Sequence, residues 1–197
     1  MINWKIDSKR KEIVNHPALR KVLVAGRRFG KSHLSLIWLL SKEIKSGERR
    51  WIITPTYRQG KATTWKLMRQ LFREYDCQIN ESELTIKLPN ESEIAIRGAE
   101  QENNLRGAGL DMVVMEEYSY IKPHVWDEII YPMLTTTNGE AFFIGTPNGY
   151  DHLYDAYLRG QGKDKEWKSW QYTTVDGGYV PKEEIEKANQ RAKEDFK

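Results

Sequence analysis

The stretch VLVAGRRFGKS, residues 22–32, constrains the fold more than any other part of the chain. It opens with an apolar run typical of a buried strand, and a long apolar segment suited to a helix begins at Lys31. Residues 25–32 match the phosphate-loop pattern GxxxxGK[ST] except at the first position, where Ala25 replaces glycine. The motif requires a strand before it and a helix after it, because loop N–H groups and the helix N-terminus must converge on phosphate oxygens. The alternative is a glycine-containing turn followed by a surface lysine.

The apolar pattern predicts a parallel α/β sheet around this loop. Buried strands are predicted at residues 22–25, 51–54, 112–115 and 141–144, because these runs are apolar throughout rather than alternating. A largely buried helix is predicted over residues 31–47, and an amphipathic helix over residues 60–75. This alternation implies right-handed crossovers and helices on both faces of the sheet.

Residues 83–98 interrupt the alternation of strands and helices. Apolar and polar residues alternate on both sides of a Pro89-Asn90 turn, which predicts an inserted antiparallel hairpin at the edge of the sheet.

Near the C-terminus, Gly177 and Gly178 predict a hinge, and Pro181 suits the first turn of a following helix. The apolar stripe of that helix is Ile185, Ala188, Ala192 and Phe196. We therefore expect a core over residues 1–176 and the start of a lid or linker segment over residues 177–197.

The composition indicates a protein of the cytoplasm. The net charge is +3, a bias that permits a nucleic-acid partner without requiring one. Cys77 is the only cysteine, so no internal disulfide can form. No apolar run is long enough for a membrane span, and the N-terminus lacks the apolar core of a signal peptide.

The phosphate loop predicts a nucleotide site. In such loops the lysine, here Lys31, reaches the β and γ phosphates, and the hydroxyl of Ser32 holds Mg²⁺. The residues predicted to surround the nucleotide are Ala25, Gly26, Arg27, Arg28, Phe29, Gly30, Lys31 and Ser32.

Two glutamates directly follow the predicted strand at 112–115, at the end where parallel sheets bind ligands. Glu116 is predicted to hold the metal, and Glu117 to polarise the attacking water. Taken alone, such a pair more often begins a solvated loop. The strand at 141–144 ends in GTPNG, which brings the hydroxyl of Thr146 to the same edge, although taken alone this motif is more often an ordinary turn.

Together these segments resemble the ATPase domain of the large terminase subunit, the DNA-packaging motor of tailed bacteriophages. The resemblance is carried by AGRRFGKS, TPTYRQGKATTWKLM, LRGAGLDMVVMEE and IGTPNGYDHLYDAYLRG, in this order between about residues 22 and 160. It implies an ASCE-type phosphate-loop NTPase that hydrolyses ATP with Mg²⁺ and drives double-stranded DNA into a procapsid. The alternatives are a helicase-like translocase and a nucleotide-gated binding module with vestigial hydrolysis.

The resemblance also implies partners and further roles. The expected partners are double-stranded DNA, the portal and procapsid, the small terminase subunit and other copies of the chain in a homo-oligomeric ring, in the host cytoplasm. Thr146 is placed at the turn that couples hydrolysis to movement. Glu116 departs from the family, since many members have Asp there. Family members carry a nuclease domain with an acidic metal cluster, which we do not find in this sequence, so we expect no nuclease activity.

Three arginines are candidates for stabilising charge in the transition state. Arg27 or Arg28 would act from the loop itself, and the alternative for either is an outward position and a pairing with a carboxylate. Arg106 precedes the strand at 112–115, where the resemblance implies a finger supplied to a neighbouring subunit. The alternative for Arg106 is a local ion pair with Glu100 or Glu102.

Overall fold

The computed structural model describes residues 6–107, 109–178, 180, 181, 183, 184, 186, 187 and 190. Its framework is one sheet in the order β3-β4-β5-β2-β6-β7-β1-β8. The strands are β1 (Arg20–Ala25), β2 (Arg49–Thr54), β3 (Gln78–Asn80), β4 (Thr85–Lys87), β5 (Glu93–Gly98), β6 (Met112–Glu116), β7 (Glu140–Gly145) and β8 (Trp167–Tyr172). In this spatial order, the strands β5, β2, β6, β7, β1 and β8 each run parallel to their neighbours within this group. By contrast, β4 pairs antiparallel with both β3 and β5.

The helices follow the strands as crossovers. They are α1 (Ser8–Asn15), α2 (Lys31–Leu39), α3 (Tyr57–Ala62), α4 (Thr64–Phe72), α5 (Tyr131–Thr135) and α6 (His152–Gln161). A π-helix at Val125–Ile130 leads into α5, and short 3-10 turns lie at Glu102–Leu105, Tyr118–Tyr120 and Val175–Gly177. No helix formed by the described residues has the length and apolar character to cross a membrane.

The strand order confirms the predicted fold class. One strand, β7, lies between β1, which enters the phosphate loop, and β6, which carries the two glutamates. This additional central strand defines the ASCE class of phosphate-loop NTPases. The carboxyl ends of β1, β6 and β7 therefore meet at one edge of the sheet.

Successive side chains of β1 point to opposite faces of the sheet, and each face has its own core. Leu23 packs on one face with the apolar sides of α1, α2 and α4. Val22 and Val24 pack on the other face with the π-helix, α5 and α6. Helices thus cover both faces, as predicted, and the central strands are apolar throughout because neither side meets solvent.

Both predicted helices differ from the prediction in extent. The helix predicted over 31–47 ends at Leu39, because Ser41 donates from its backbone N and its Oγ to the carbonyl of Trp38, replacing the helical pattern. The helix predicted over 60–75 is two helices, α3 and α4. They are separated at Thr63, whose backbone leaves the helical region at φ −112° and ψ −86°.

At the sheet edge, the predicted hairpin is present as β4 and β5, and β3 adds a further strand outside it. The sequence analysis missed β8, which pairs in parallel with β1. Its residues Trp167, Ser169 and Trp170 are buried, whereas Lys168 and Gln171 are more exposed. The predicted C-terminal stripe, Ile185, Ala188, Ala192 and Phe196, lies outside the described residues.

Candidate nucleotide-binding site

The loop between β1 and α2 has the backbone shape that its sequence requires. Gly30 precedes α2 with φ 91° and ψ 30°, a left-handed conformation that glycine adopts without the steric cost of a side chain. At Gly26, an added Cβ would lie 2.5 Å from Oγ1 and 2.6 Å from the backbone N of Thr174, so no other residue fits there. Ala25 replaces the usual first glycine because it is still the last residue of β1 and is fully buried.

The loop is also held in place by buried contacts with α1 and with the segment after β8. Arg10 donates hydrogen bonds to the carbonyls of Phe29 at 2.6 Å and Gly177 at 3.2 Å. Its guanidinium lies 4.7 Å from the centre of the Phe29 ring, which stacks on Tyr172 at 5.3 Å. Asp7 pairs with the same guanidinium. These contacts hold the backbone of the loop in place, and they pre-organise its N–H groups.

Lys31 lies at the centre of the site. Its Nζ donates to Oγ1 of Thr146 at 2.8 Å and to the carbonyl of Ala25 at 3.1 Å, and lies 3.7 Å from Oε1 of Glu117. Burial lowers the pKa of the Lys31 ammonium, and the Glu117 carboxylate acts in the opposite direction. The structure therefore brings the phosphate-loop lysine, the second glutamate and the β7 turn into direct contact.

Glu117 has an unusual backbone that places its side chain in the cleft. It follows β6 with φ 50° and ψ 50°, the left-handed region, where a non-glycine residue costs about 1–2 kcal/mol. Its Oε2 accepts a hydrogen bond from the backbone N of Thr146 at 3.4 Å. Strain of this kind is characteristic of functional positions, because the surrounding structure must maintain it.

Glu116, one residue earlier, is nearly completely buried. Burial raises the pKa of its carboxyl group, whereas the neighbouring hydroxyls of Ser32 and Thr64 act in the opposite direction. Thr64 donates to Oε2 at 2.6 Å, and Oε1 is buried without a hydrogen-bond partner among the described residues. A buried carboxylate oxygen without a donor beside a serine hydroxyl fits a hard divalent cation, which prefers oxygen ligands.

The two loop arginines are both exposed and line the cleft. Arg27 is one of the charges that lower the pKa of Lys31, so the two cationic groups lie near each other. Arg28 adopts a left-handed backbone with φ 64°. Neither forms an ion pair with a carboxylate among the described residues, which differs from the outward pairing that the sequence left open.

The cleft has a volume of about 840 Å³, within the range of small-molecule sites. Sequence reasoning missed part of its wall. Gln59, Thr63, Lys66 and Tyr120 line it together with the phosphate loop, Glu117 and Thr146. The first three belong to the quoted TPTYRQGKATTWKLM segment, which could have identified them. Tyr120 follows the glutamate pair in a 3-10 turn and carries no sequence signal of its own.

Arg106 lies outside this cleft. It is exposed and follows the 3-10 turn Glu102–Leu105 with an extended backbone. Glu102 pairs instead with Lys122 and His124, and Glu100 accepts from the backbone N of Tyr57. The local ion pair considered for Arg106 is therefore not formed among the described residues.

Comparison with known proteins supports the architecture just described. A family model described as phage terminase large subunit matches residues 18–197. The chain belongs to this family. The terminase chain is 30% identical to the large terminase subunit of Thermus virus P23-45, over 81% of its own length and 37% of that protein. It is 24% identical to the large subunit of Escherichia phage T5, over 86% of its length and 40% of the relative. It thus spans about two fifths of these relatives.

Solved structures agree with this assignment. The ATPase domain of the Thermus phage P74-26 large terminase superposes with a TM-score of 0.73 at 25% identity, covering 92% of this chain and 91% of that one. The large terminase of a thermophilic bacteriophage in complex with ADP superposes with a TM-score of 0.72 at 13% identity, covering 94% of this terminase chain and 50% of the other. The second likeness is one of fold.

Proposed function

We propose that this chain hydrolyses ATP with Mg²⁺ and that hydrolysis drives double-stranded DNA into a procapsid. The observation that carries the proposal is the contact of Lys31 with both Thr146 and Glu117, beside the buried carboxylate of Glu116. Within one cleft, these residues supply a cation for phosphates, an acid for a metal and a base for water. Family membership and the ATPase domain of phage P74-26 support the same assignment.

The residues divide the chemistry among them. The N–H groups of residues 26–32 would bind the phosphates at the N-terminus of α2, and Lys31 would add a point charge. Ser32 and Glu116 would hold Mg²⁺, which neutralises phosphate charge when bound. Glu117 would align the attacking water and accept its proton. Arg27 and Arg28 both line the cleft, and either would stabilise transition-state charge.

Thr146 would transmit the state of the phosphates to the rest of the domain. Its Oγ1 accepts from Lys31, and its backbone N donates to Glu117. Thr146 lies at the start of the segment that connects β7 to α6, so a movement of Lys31 or Glu117 would shift the beginning of this segment. This supports the coupling role that the family resemblance implies.

We propose a motor core over residues 1–176 and the start of a lid or linker segment over 177–197. In the host cytoplasm the core would act in a homo-oligomeric ring with the portal, the procapsid and the small terminase subunit. Arg106 would reach the nucleotide of a neighbouring copy, an assignment supported by its exposure and its lack of an ion pair among the described residues.

The surface of α3 and α4 is the best candidate for DNA contact. Between residues 55 and 73 the chain has five basic residues and no acidic residue. All five are exposed: Arg58, Lys61, Lys66, Arg69 and Arg73. One of them, Arg69, also pairs with Glu81 at 3.2 Å. Exposed lysine and arginine side chains are the groups that contact the phosphates of a duplex.

Steady-state ATP turnover with Mg²⁺ tests the catalytic part of the proposal, and Lys31→Ala tests the site. The variant removes one charge-assisted contact to phosphate, worth about 1.5–3 kcal/mol, so ATP affinity should fall roughly ten- to a hundredfold or more. Lys163→Ala is the matched control. This exposed lysine lies in the loop before β8, at the amino ends of the parallel strands, whereas the phosphate loop lies at their carboxyl ends. Near-normal ATP affinity in Lys31→Ala would reject the phosphate-loop assignment.

DNA binding is tested by its salt dependence. Lys61→Ala and Arg73→Ala should each weaken binding to duplexes of any sequence and reduce the salt slope by about one. Lys163→Ala again serves as the control. Turnover stimulated by single strands, together with unwinding of a long duplex, would instead favour a helicase-like translocase. ATP binding without measurable turnover would favour a nucleotide-gated module.

A further inference from the structure

Thr64 is a buried hydroxyl that nothing in the phosphate-loop motif requires. It is the first residue of α4 and is fully buried, and its Oγ1 donates a 2.6 Å hydrogen bond to Oε2 of Glu116. The two residues are 52 positions apart in sequence and belong to different elements. A hydrogen bond to an ionised group in a low-dielectric interior is strong, and its loss leaves the carboxylate uncompensated.

This bond makes the two oxygens of Glu116 unequal. Oε2 is occupied by Thr64, whereas Oε1 is buried and has no hydrogen-bond partner among the described residues. Ser32, the other proposed metal ligand, is a neighbour of the same carboxylate. A carboxylate held by one oxygen cannot rotate freely, so the other oxygen keeps a fixed direction.

We infer that Thr64 is a positioning residue, which orients Glu116 so that its free oxygen is available to the divalent cation of the nucleotide site. The inference rests on the proposed Mg²⁺-dependent function. Outer hydrogen bonds of this type typically change metal affinity by 10- to 100-fold when removed.

The position of Thr64 is itself fixed by the packing of α3 on the sheet. A Cβ added at Gly60 would lie 2.7 Å from Oγ1 of Thr54 and 2.6 Å from Cγ2 of Ile96, so α3 approaches β2 and β5 as closely as glycine allows. Thr63 then breaks the helix, and its own Oγ1 donates to the carbonyl of Gln59. The break turns Thr64 inward, and the same two helices carry the basic surface proposed for DNA.

The experiment compares three variants by binding of Mn²⁺, a paramagnetic substitute for Mg²⁺, measured by electron paramagnetic resonance in the presence of ADP. Thr64→Val keeps the shape and removes the donor, so the dissociation constant for Mn²⁺ should rise about tenfold or more. Thr64→Ser keeps the hydroxyl and should remain close to the wild type. Thr135→Val removes an exposed hydroxyl on α5, which bonds to the carbonyl of Pro132 and does not line the cleft, and should leave Mn²⁺ affinity unchanged.

Two further measurements separate positioning from folding. ADP affinity without a divalent cation should be unchanged in Thr64→Val, because among the described residues the Thr64 hydroxyl bonds to Glu116 and Thr63 and to no phosphate-loop atom. If Thr64→Val does not fold, Thr64→Cys replaces it, and its weaker donor should give an intermediate loss of Mn²⁺ affinity. Wild-type Mn²⁺ affinity in the folded valine or cysteine variant overturns the inference and leaves the proposed function intact. Absence of ADP-dependent Mn²⁺ binding in the wild-type chain overturns both.

Discussion

Replacing Glu117 with glutamine should separate ATP binding from ATP hydrolysis. The amide is nearly isosteric, so it fits the left-handed backbone position and the cleft as the acid does. It cannot accept a proton from water. A positioned general base contributes about 10²- to 10⁴-fold, which corresponds to about 2.7–5.4 kcal/mol of transition-state stabilisation. We therefore expect the rate of the chemical step to fall by at least a hundredfold.

The contacts of Glu117 imply that its loss should affect little else. The bond from the Thr146 backbone is long at 3.4 Å, and the nearest approach to Lys31 is 3.7 Å. The side chain is 26% exposed, so the ion pair contributes at most about 1 kcal/mol to the free energy of unfolding. Removing a negative charge beside the phosphates should also leave ATP affinity equal or higher. The midpoint of thermal unfolding should therefore shift by only a few degrees.

The assay is single-turnover hydrolysis, with chain in excess over radiolabelled ATP, together with equilibrium ATP binding. Glu128→Gln is the matched control, since Glu128 is exposed on the π-helix. The expected result is a chemical step slowed a hundredfold or more in Glu117→Gln alone, with ATP bound at least as tightly. Hydrolysis within a few-fold of wild type would refute the reasoning and assign the base to Glu116 or another carboxylate.

Three further outcomes are expected. Thr146→Val should slow hydrolysis and uncouple it from DNA movement in a packaging assay, because it removes the oxygen that accepts from the phosphate-loop lysine; unchanged packaging per ATP would contradict this. Arg106→Ala mixed with Glu117→Gln should recover part of the ATPase activity, since one interface then pairs an intact finger with an intact base; no recovery in mixed rings would reject a role in trans. Gly26→Ala should lower the midpoint of thermal unfolding measured by circular dichroism, because the added methyl group would lie 2.6 Å from the backbone N of Thr174. An unchanged midpoint would contradict this prediction.

The central strands and the phosphate loop were predictable because each is specified locally. The strand residues 22–25 and 112–115 are buried on both faces of the sheet. A continuous apolar run in the sequence therefore predicts them as strands. The strand β8 was not predictable in this way, because Lys168 and Gln171 interrupt its apolar residues. Its position depends on pairing with β1 at the opposite end of the chain.

The residues around the proposed metal position were also only partly predictable from the sequence. Ser32 and Glu116 were predicted from motif order, and the structure places the two side chains together. Thr64 was not predicted, because the apolar spacing over residues 60–75 fits one uninterrupted helix. The break at Thr63 arises from tertiary contacts, namely the close approach of α3 to the sheet and the bond from Thr64 to the buried carboxylate. Tertiary contacts of this kind leave no periodic signal in the sequence.

The packing behind the phosphate loop has a mechanical consequence. An added Cβ at Gly177 would lie 2.7 Å from Cα of Phe29, so the segment after β8 touches the loop backbone directly. Arg10 joins the same two backbones through its hydrogen bonds to the carbonyls of Phe29 and Gly177. A shift of the loop must therefore move Gly177 as well, or break contacts buried against α1. Because close-packed contacts cannot stretch, we expect Gly177, where the proposed lid or linker segment begins, to move with the phosphate loop.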